Sequence, residues 1–185
     1  MKKIIALALS LMLLIGCVSA LAEAADKHTI TMLGAFTVTT DKLPEGYKMN
    51  VIKNSEMEYE ALITSPDAGK PYYVLVMNFS DEWDGVKTLD DATEDDIREV
   101  KESFYEVMEL DDGDITFEDG KTGEGTPLLI ARTVDGSFGA VYAIYNSHEI
   151  EVDIYHAEEN EPVTDAEIDA VVAFLTSVQF TPIEK

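Results

Sequence analysis

The chain has 185 residues, with 13 Lys and Arg set against 37 Asp and Glu, for a net charge of −24. That balance excludes nucleic-acid recognition, which runs on clustered basic side chains, and electrostatic docking to an anionic bilayer. An apolar content of 46% excludes a fully disordered chain despite the charge, and the length suits one hydrophobic core.

Lys2 and Lys3 are followed by an apolar run from Ile4 to Ile15 and by the small-residue stretch Ala20 to Ala25. This order describes a secretory signal over residues 1–25. The run is shorter than the roughly 20 residues that a spanning helix takes. Two processing routes stand open. Leu14-Ile15-Gly16-Cys17 looks like a lipobox, in which Cys17 becomes a lipidated first residue. Ala20-Leu21-Ala22 and Ala22-Glu23-Ala24 look like ordinary signal-peptidase sites. Either route gives an extracytoplasmic protein, secreted or held at the cell surface, with membrane contact only through a lipid on Cys17. Cleavage before Glu23 leaves 11 basic and 37 acidic residues, a net of −26. Cys17 is the only cysteine, so the domain over residues 26–185 has no internal disulfide and no thiol ligand or nucleophile.

Along that domain, Thr29 to Leu33 and Ala35 to Thr40 read as strands, the second by its two-residue alternation. Pro44 and Gly46 punctuate a turn, and Lys48 to Lys53 gives a short strand. Met57 to Thr64 alternates, and the loop Ser65 to Pro71 joins it to Tyr72 to Phe79. The latter is the most apolar stretch of the domain and reads as a central strand covered on both faces. Asp81 to Asp91 is a polar connection that holds the only tryptophan, Trp83.

Thr93 and Asp96 then fit a helix-start signal. Ile97, Val100, Phe104, Val107 and Met108 recur on one face, and Glu94 can pair with Arg98. Asp111 to Asp114 ends the helix. Ile115 to Glu118, Leu128 to Val134, Ala140 to Tyr145 and Glu149 to Tyr155 read as strands, with tight links at Asp135-Gly136 and Asn146-Ser147. Thr164 and Glu167 open a closing helix whose stripe is Ile168, Val171, Val172, Leu175 and Val178, with Val163 placed to staple Ile168. Hairpin links and two amphipathic helices predict an α+β fold, a largely antiparallel sheet with both helices packed on it.

Three stretches resemble the PsbP-like fold, shared by extrinsic photosystem II proteins, a Ran-binding import factor and small bacterial lipoproteins. They are Phe36-x-Val38 with Leu43-Pro44-Glu45-Gly46-Tyr47, the strands from Ala140 to Tyr155, and Thr164 to Phe180 with its Ser177-x-x-Phe180 ending. The match is one of order and spacing over most of the domain. It implies non-catalytic binding or accessory roles and brings no active-site pattern and no cofactor.

Candidate sites are few. Asp111, Asp112, Asp114, Glu118 and Asp119 invite a calcium reading, but Phe117 stands where an EF-hand loop started at Asp112 needs glycine. They remain candidates for an irregular cation site. His148 and His156 fall on one strand face roughly 26 Å apart at about 3.3 Å per residue, too far to share a metal. Glu149, Glu151 and Asp153 line the other face, which suggests a face open to water or a protected edge strand. No serine sits in a Gly-x-Ser-x-Gly elbow, and Gly123-Glu124-Gly125 lacks a dinucleotide context. Paired carboxylates for glycoside cleavage stay open, because their separation is invisible in a sequence. Tyr72, Tyr73, Tyr142, Tyr145 and Tyr155 read as core or cross-strand filler, whereas Trp83 in its polar loop is a candidate binding residue. The expectation is an exported, non-catalytic binding or accessory protein with a protein or small-ligand partner. An acidic calcium-binding module is the alternative, and carboxylate-based hydrolysis a third class.

Overall fold

The computed structural model describes residues 28–31, 36–40, 46–55, 57–79, 83–157 and 161–182. Residues 1–25, read above as a secretory signal, lie outside these residues, Cys17 among them. Among the described residues, ten strands and two α-helices follow one another in the order expected for an α+β fold with a largely antiparallel sheet.

The main sheet is two antiparallel meanders zipped together. The first is β3 (Lys48–Asn54), β4 (Glu58–Thr64) and β5 (Tyr72–Asn78). The second is β6 (Ile115–Lys121), β7 (Pro127–Thr133), β8 (Gly139–Tyr145) and β9 (His148–Tyr155). The pairing of β5 with β9, from Tyr72 opposite Tyr155 to Asn78 opposite Glu149, gives the order β3-β4-β5-β9-β8-β7-β6. A separate three-stranded sheet pairs β1 (His28–Thr31) and β10 (Gln179–Pro182) on either side of β2 (Phe36–Thr40). The β8–β9 hairpin turns on Asn146 and Ser147, both at positive φ (48° and 68°), as a two-residue primed turn requires.

Each helix covers its own face. Helix α1 (Glu94–Met108) starts at Thr93, whose side chain accepts from the Asp96 amide while the Asp96 carboxylate accepts from the Thr93 amide. It buries Val100 and Phe104 against Ile115, Leu129, Ala131, Phe138, Ala140, Tyr142 and Ile144. Helix α2 (Asp165–Ser177) seats Ile168, Val171, Phe174 and Leu175 on the opposite face, over Tyr59, Leu75, Met77, Val141, Ile150 and Val152. The staple pair Val163 and Ile168 lies in that core. Strand β8 serves both cores, with Val141 and Ala143 on one side and Ala140, Tyr142 and Ile144 on the other.

Several details differ from the sequence reading. Strand β5 is fully covered on one face only; Tyr73, Leu75 and Met77 are buried, and their alternates are half-exposed. Strand β9 is neither an edge nor a solvated strand but the middle one of seven. The edges are β3 and β6; the residues of β3 are almost all exposed, and its pairing is bulged between Val51 and Lys53. On α1, Val107 leaves the apolar stripe and is 76% exposed, because the helix turns that flank away from the sheet. Arg98 bonds Asp95 at 2.6 Å and lies 3.6 Å from Glu102, so its reach is taken by neighbours other than Glu94. On α2, Phe174 joins the buried stripe. Strand β6 runs three residues past Glu118, to Lys121.

Candidate functional site

Two carboxyl groups stand on the partly buried centre of the sheet, with Asp153 Oδ1 out of reach of solvent. Two-residue alternation puts Glu151 and Asp153 on the α1 side of β9, while Ile150, Val152 and Ile154 feed the α2 core. Glu151 lies between Val76 of β5 and Tyr142 of β8, and Asp153 between Val74 and Ala140. No basic residue occupies any of those flanking positions.

Above them α1 does not close fully on the sheet. A cleft of about 60 Å³ remains, walled by Phe104, Val107 and Met108 of the helix and by Phe138. Its floor is Glu151, Asp153 and Tyr155. Ser103 also reaches the rim, but its hydroxyl donates to the Val100 carbonyl at 2.7 Å. The aromatic side chains are braced against one another. Phe138 meets Tyr155 at 5.4 Å between centroids and Phe104 at 6.5 Å, and Tyr155 stacks on Tyr72 at 5.3 Å.

The electrostatics are set by burial without a counter-charge. Asp153 Oδ2 accepts from the Tyr155 hydroxyl at 3.5 Å. Oδ1 is buried with no hydrogen-bond partner among the described residues. Burial raises the Asp153 pKa to about 6, against hydrogen bonds from Glu151 and Tyr155 that favour its charged form. Burial also pushes Glu151 well above the usual carboxylate range, reinforced by the charge of Asp153, the hydrogen bond it gives Asp153, and the charge of Glu149. The Tyr155 hydroxyl is raised by burial and by the acids beside it. Two carboxyls so placed hold a proton between them near neutral pH.

The other candidates fall elsewhere. Asp111, Asp112 and Asp114 are exposed on the turn after α1, where the Asp114 carboxylate accepts the Asp111 amide at 3.2 Å. Glu118 and Asp119 are exposed on β6 and, being adjacent, point to opposite sides of it. Among the described residues no three His, Cys, Asp or Glu side chains are grouped to hold a metal. Trp83 is partly buried against the α1 core. Its connection is tied to the β8–β9 turn by Asn146 N–H to Lys87 O and by Ser147 Oγ to Val86 O.

His148 packs its ring 5.0 Å from that of Phe79, and burial lowers its pKa. His156 bridges Glu161 and Glu167 at 3.1 and 3.2 Å and so fastens the end of β9 to the start of α2. Tyr73 and Tyr142 are core residues, and Tyr72 with Tyr155 is a stacked cross-strand pair.

Glu151 and Asp153 were visible in the sequence only as one side of an alternating strand. The signal that marks them is a run of acids facing out of an otherwise core-forming strand next to apolar strands on both sides. Among the described residues no helix is long and apolar enough to cross a membrane. No protein-family model matches the chain, and no curated protein sequence matches it.

Proposed function

We propose that this is an exported, non-catalytic binding or accessory protein whose binding site is the cleft between α1 and β9. One observation carries the reading: at the floor of an open cleft, buried Asp153 Oδ1 has no N–H or hydroxyl donor among the described residues, and only the proton of Glu151 is left to the pair. A buried polar atom left unpaired costs about 1–3 kcal/mol, more when charged. A ligand that supplies the missing donor removes that cost, so the cleft is poised to take one. Perturbed acids gathered in a concavity are the usual mark of a functional site.

Catalysis on a sugar is disfavoured by size. The cleft is less than half of the roughly 150 Å³ that an apolar cavity needs to hold a benzene ring. The order of strands, helix, strands and helix supports the PsbP-like resemblance and its non-catalytic roles. The basic start, apolar run and small residues of the first 25 positions support export, with Cys17 as the alternative lipidated start.

Two measurements test the proposal. Nuclear magnetic resonance mapping of a fragment set should place shift changes on Ser103, Val107 and Tyr155. Fragments that cluster only elsewhere, or glycoside turnover lost in Glu151→Gln, overturn it. The intact mass of the exported protein should begin at an acylated Cys17 or near Glu23, and a mass that retains Met1 overturns export.

A further inference from the structure

We infer that the α1–β9 cleft recognises a primary ammonium group carried on an alkyl chain, held between the Glu151 and Asp153 carboxyls. The inference rests on reading the cleft as the binding site and names what it takes. Charge comes first. Among the described residues, the two carboxyls on the floor face aromatic and aliphatic walls and a serine, and no Lys, Arg or His lines the cleft. The acids around it deepen the negative potential. Glu149 precedes the pair on β9, and Glu60 of β4 acts on Asp153 from two strands away. Among the described residues the titratable groups next to the pair are phenols, Tyr155 and Tyr142 beside it and Tyr72 stacked on Tyr155, while Lys53 lies farther out on the same face, where it bonds Glu58.

Donor count comes second. Asp153 Oδ1 has no N–H or hydroxyl donor among the described residues, and an ammonium brings three N–H groups to a floor of two carboxyls and a phenol. A divalent cation fits worse, because calcium takes six to eight oxygens and the Ser103 hydroxyl is spent on its own helix.

Size and exit come third. About 60 Å³ encloses a head group and little more. The rest of the ligand leaves past Val107, whose 76% exposure gives an alkyl chain an apolar rim to lie on. The aromatic walls add attraction for a cation. The proton shared by the empty pair is displaced as the ammonium enters.

Calorimetric titration of the exported protein near neutral pH tests this with four probes: n-butylamine, Nα-acetyl-lysine methylamide, tetramethylammonium and n-pentanol. Butylamine should bind and release a proton, seen as a heat that differs between buffers of different ionisation enthalpy. Because binding displaces that proton, the affinity should fall about tenfold per unit as the pH is lowered through neutral, and more steeply below about 6, where Asp153 also takes up a proton. Tetramethylammonium has charge but no N–H, and pentanol has shape but no charge, so neither should match it. A Glu151→Gln/Asp153→Asn variant should lose butylamine binding and keep its cooperative melt, because it removes a carboxyl pair that has no counter-charge.

Binding of the lysine amide as well as butylamine assigns a protein side chain as a source. Butylamine alone assigns a free amine, and both outcomes uphold the inference. Equal binding of pentanol or tetramethylammonium, or amine binding unchanged in the double variant, overturns it. If fragments map to the cleft while no amine binds, the ligand class falls and the binding reading stands. If nothing maps there, both fall.

Discussion

At the residue scale, the Glu151 and Asp153 carboxyls make the empty protein less stable as the pH rises. Burial raises both pKa values, so the folded state holds these protons more tightly than the unfolded chain does. The resulting stability is full below the ordinary carboxylate range and is lost as pH climbs through about 6 for Asp153. The Asp153 shift corresponds to on the order of 2–3 kcal/mol. Denaturant melts of the ligand-free protein should therefore show higher stability near pH 5 than near pH 8. Glu151→Gln should flatten that profile and stabilise the protein at the alkaline end. A wild-type profile that rises from pH 5 to 8 would show that the pair is not buried uncompensated. Alternation alone placed these acids on one side of their strand. Whether that side met water depended on Val76, Val74, Tyr142 and Ala140, which arrive from two other strands.

At the element scale, α2 is held against β8 by a close approach that only glycine permits. A Cβ on Gly139 would sit 2.8 Å from Val163 Cγ1 and 3.4 Å from Ile168 Cδ1, the two ends of the helix staple. Gly139→Ala should cost about 1–3 kcal/mol by overpacking, and Val163→Ala in the same chain should recover part of that cost. Measured urea midpoints check this, and purely additive losses would mean the two side chains do not compete for one space. The helices themselves were legible from Thr93 with Asp96 and from Thr164 with Glu167, because capping boxes and stripes are local. Which apolar residue leaves the stripe was not. Val107 and Phe174 trade the expected roles because the sheet surface, not the helix period, decides how wide a flank is covered.

At the scale of the whole molecule, two cores share one sheet, and β8 contributes to both. Damage on either face should then lower the same transition. Leu175→Ala beneath α2 and Phe104→Ala beneath α1 should each cost about 2–5 kcal/mol and leave a single cooperative melt. A second, separate transition in either variant would show that the faces fold independently. The net charge of −24 acts on the same scale, since self-repulsion opposes the compact state. Raising sodium chloride from about 20 mM to about 500 mM should raise the melting temperature by screening it. A fall would mean that attractive ion pairs such as Arg132–Asp165 outweigh the repulsion.

The sequence by itself determined the strands, the two capped helices, their apolar stripes and the antiparallel hairpins, because each depends on residues within a few positions of one another. It also determined the charge and the absence of a disulfide in the domain. Only the tertiary structure decided that β5 pairs with β9, that β9 lies at the centre, and that the helices take opposite faces. Those outcomes join segments far apart in the chain, and the chemistry of Glu151 and Asp153 follows from them. A carboxyl on a strand is an ordinary surface charge until neighbouring strands and a helix remove its water.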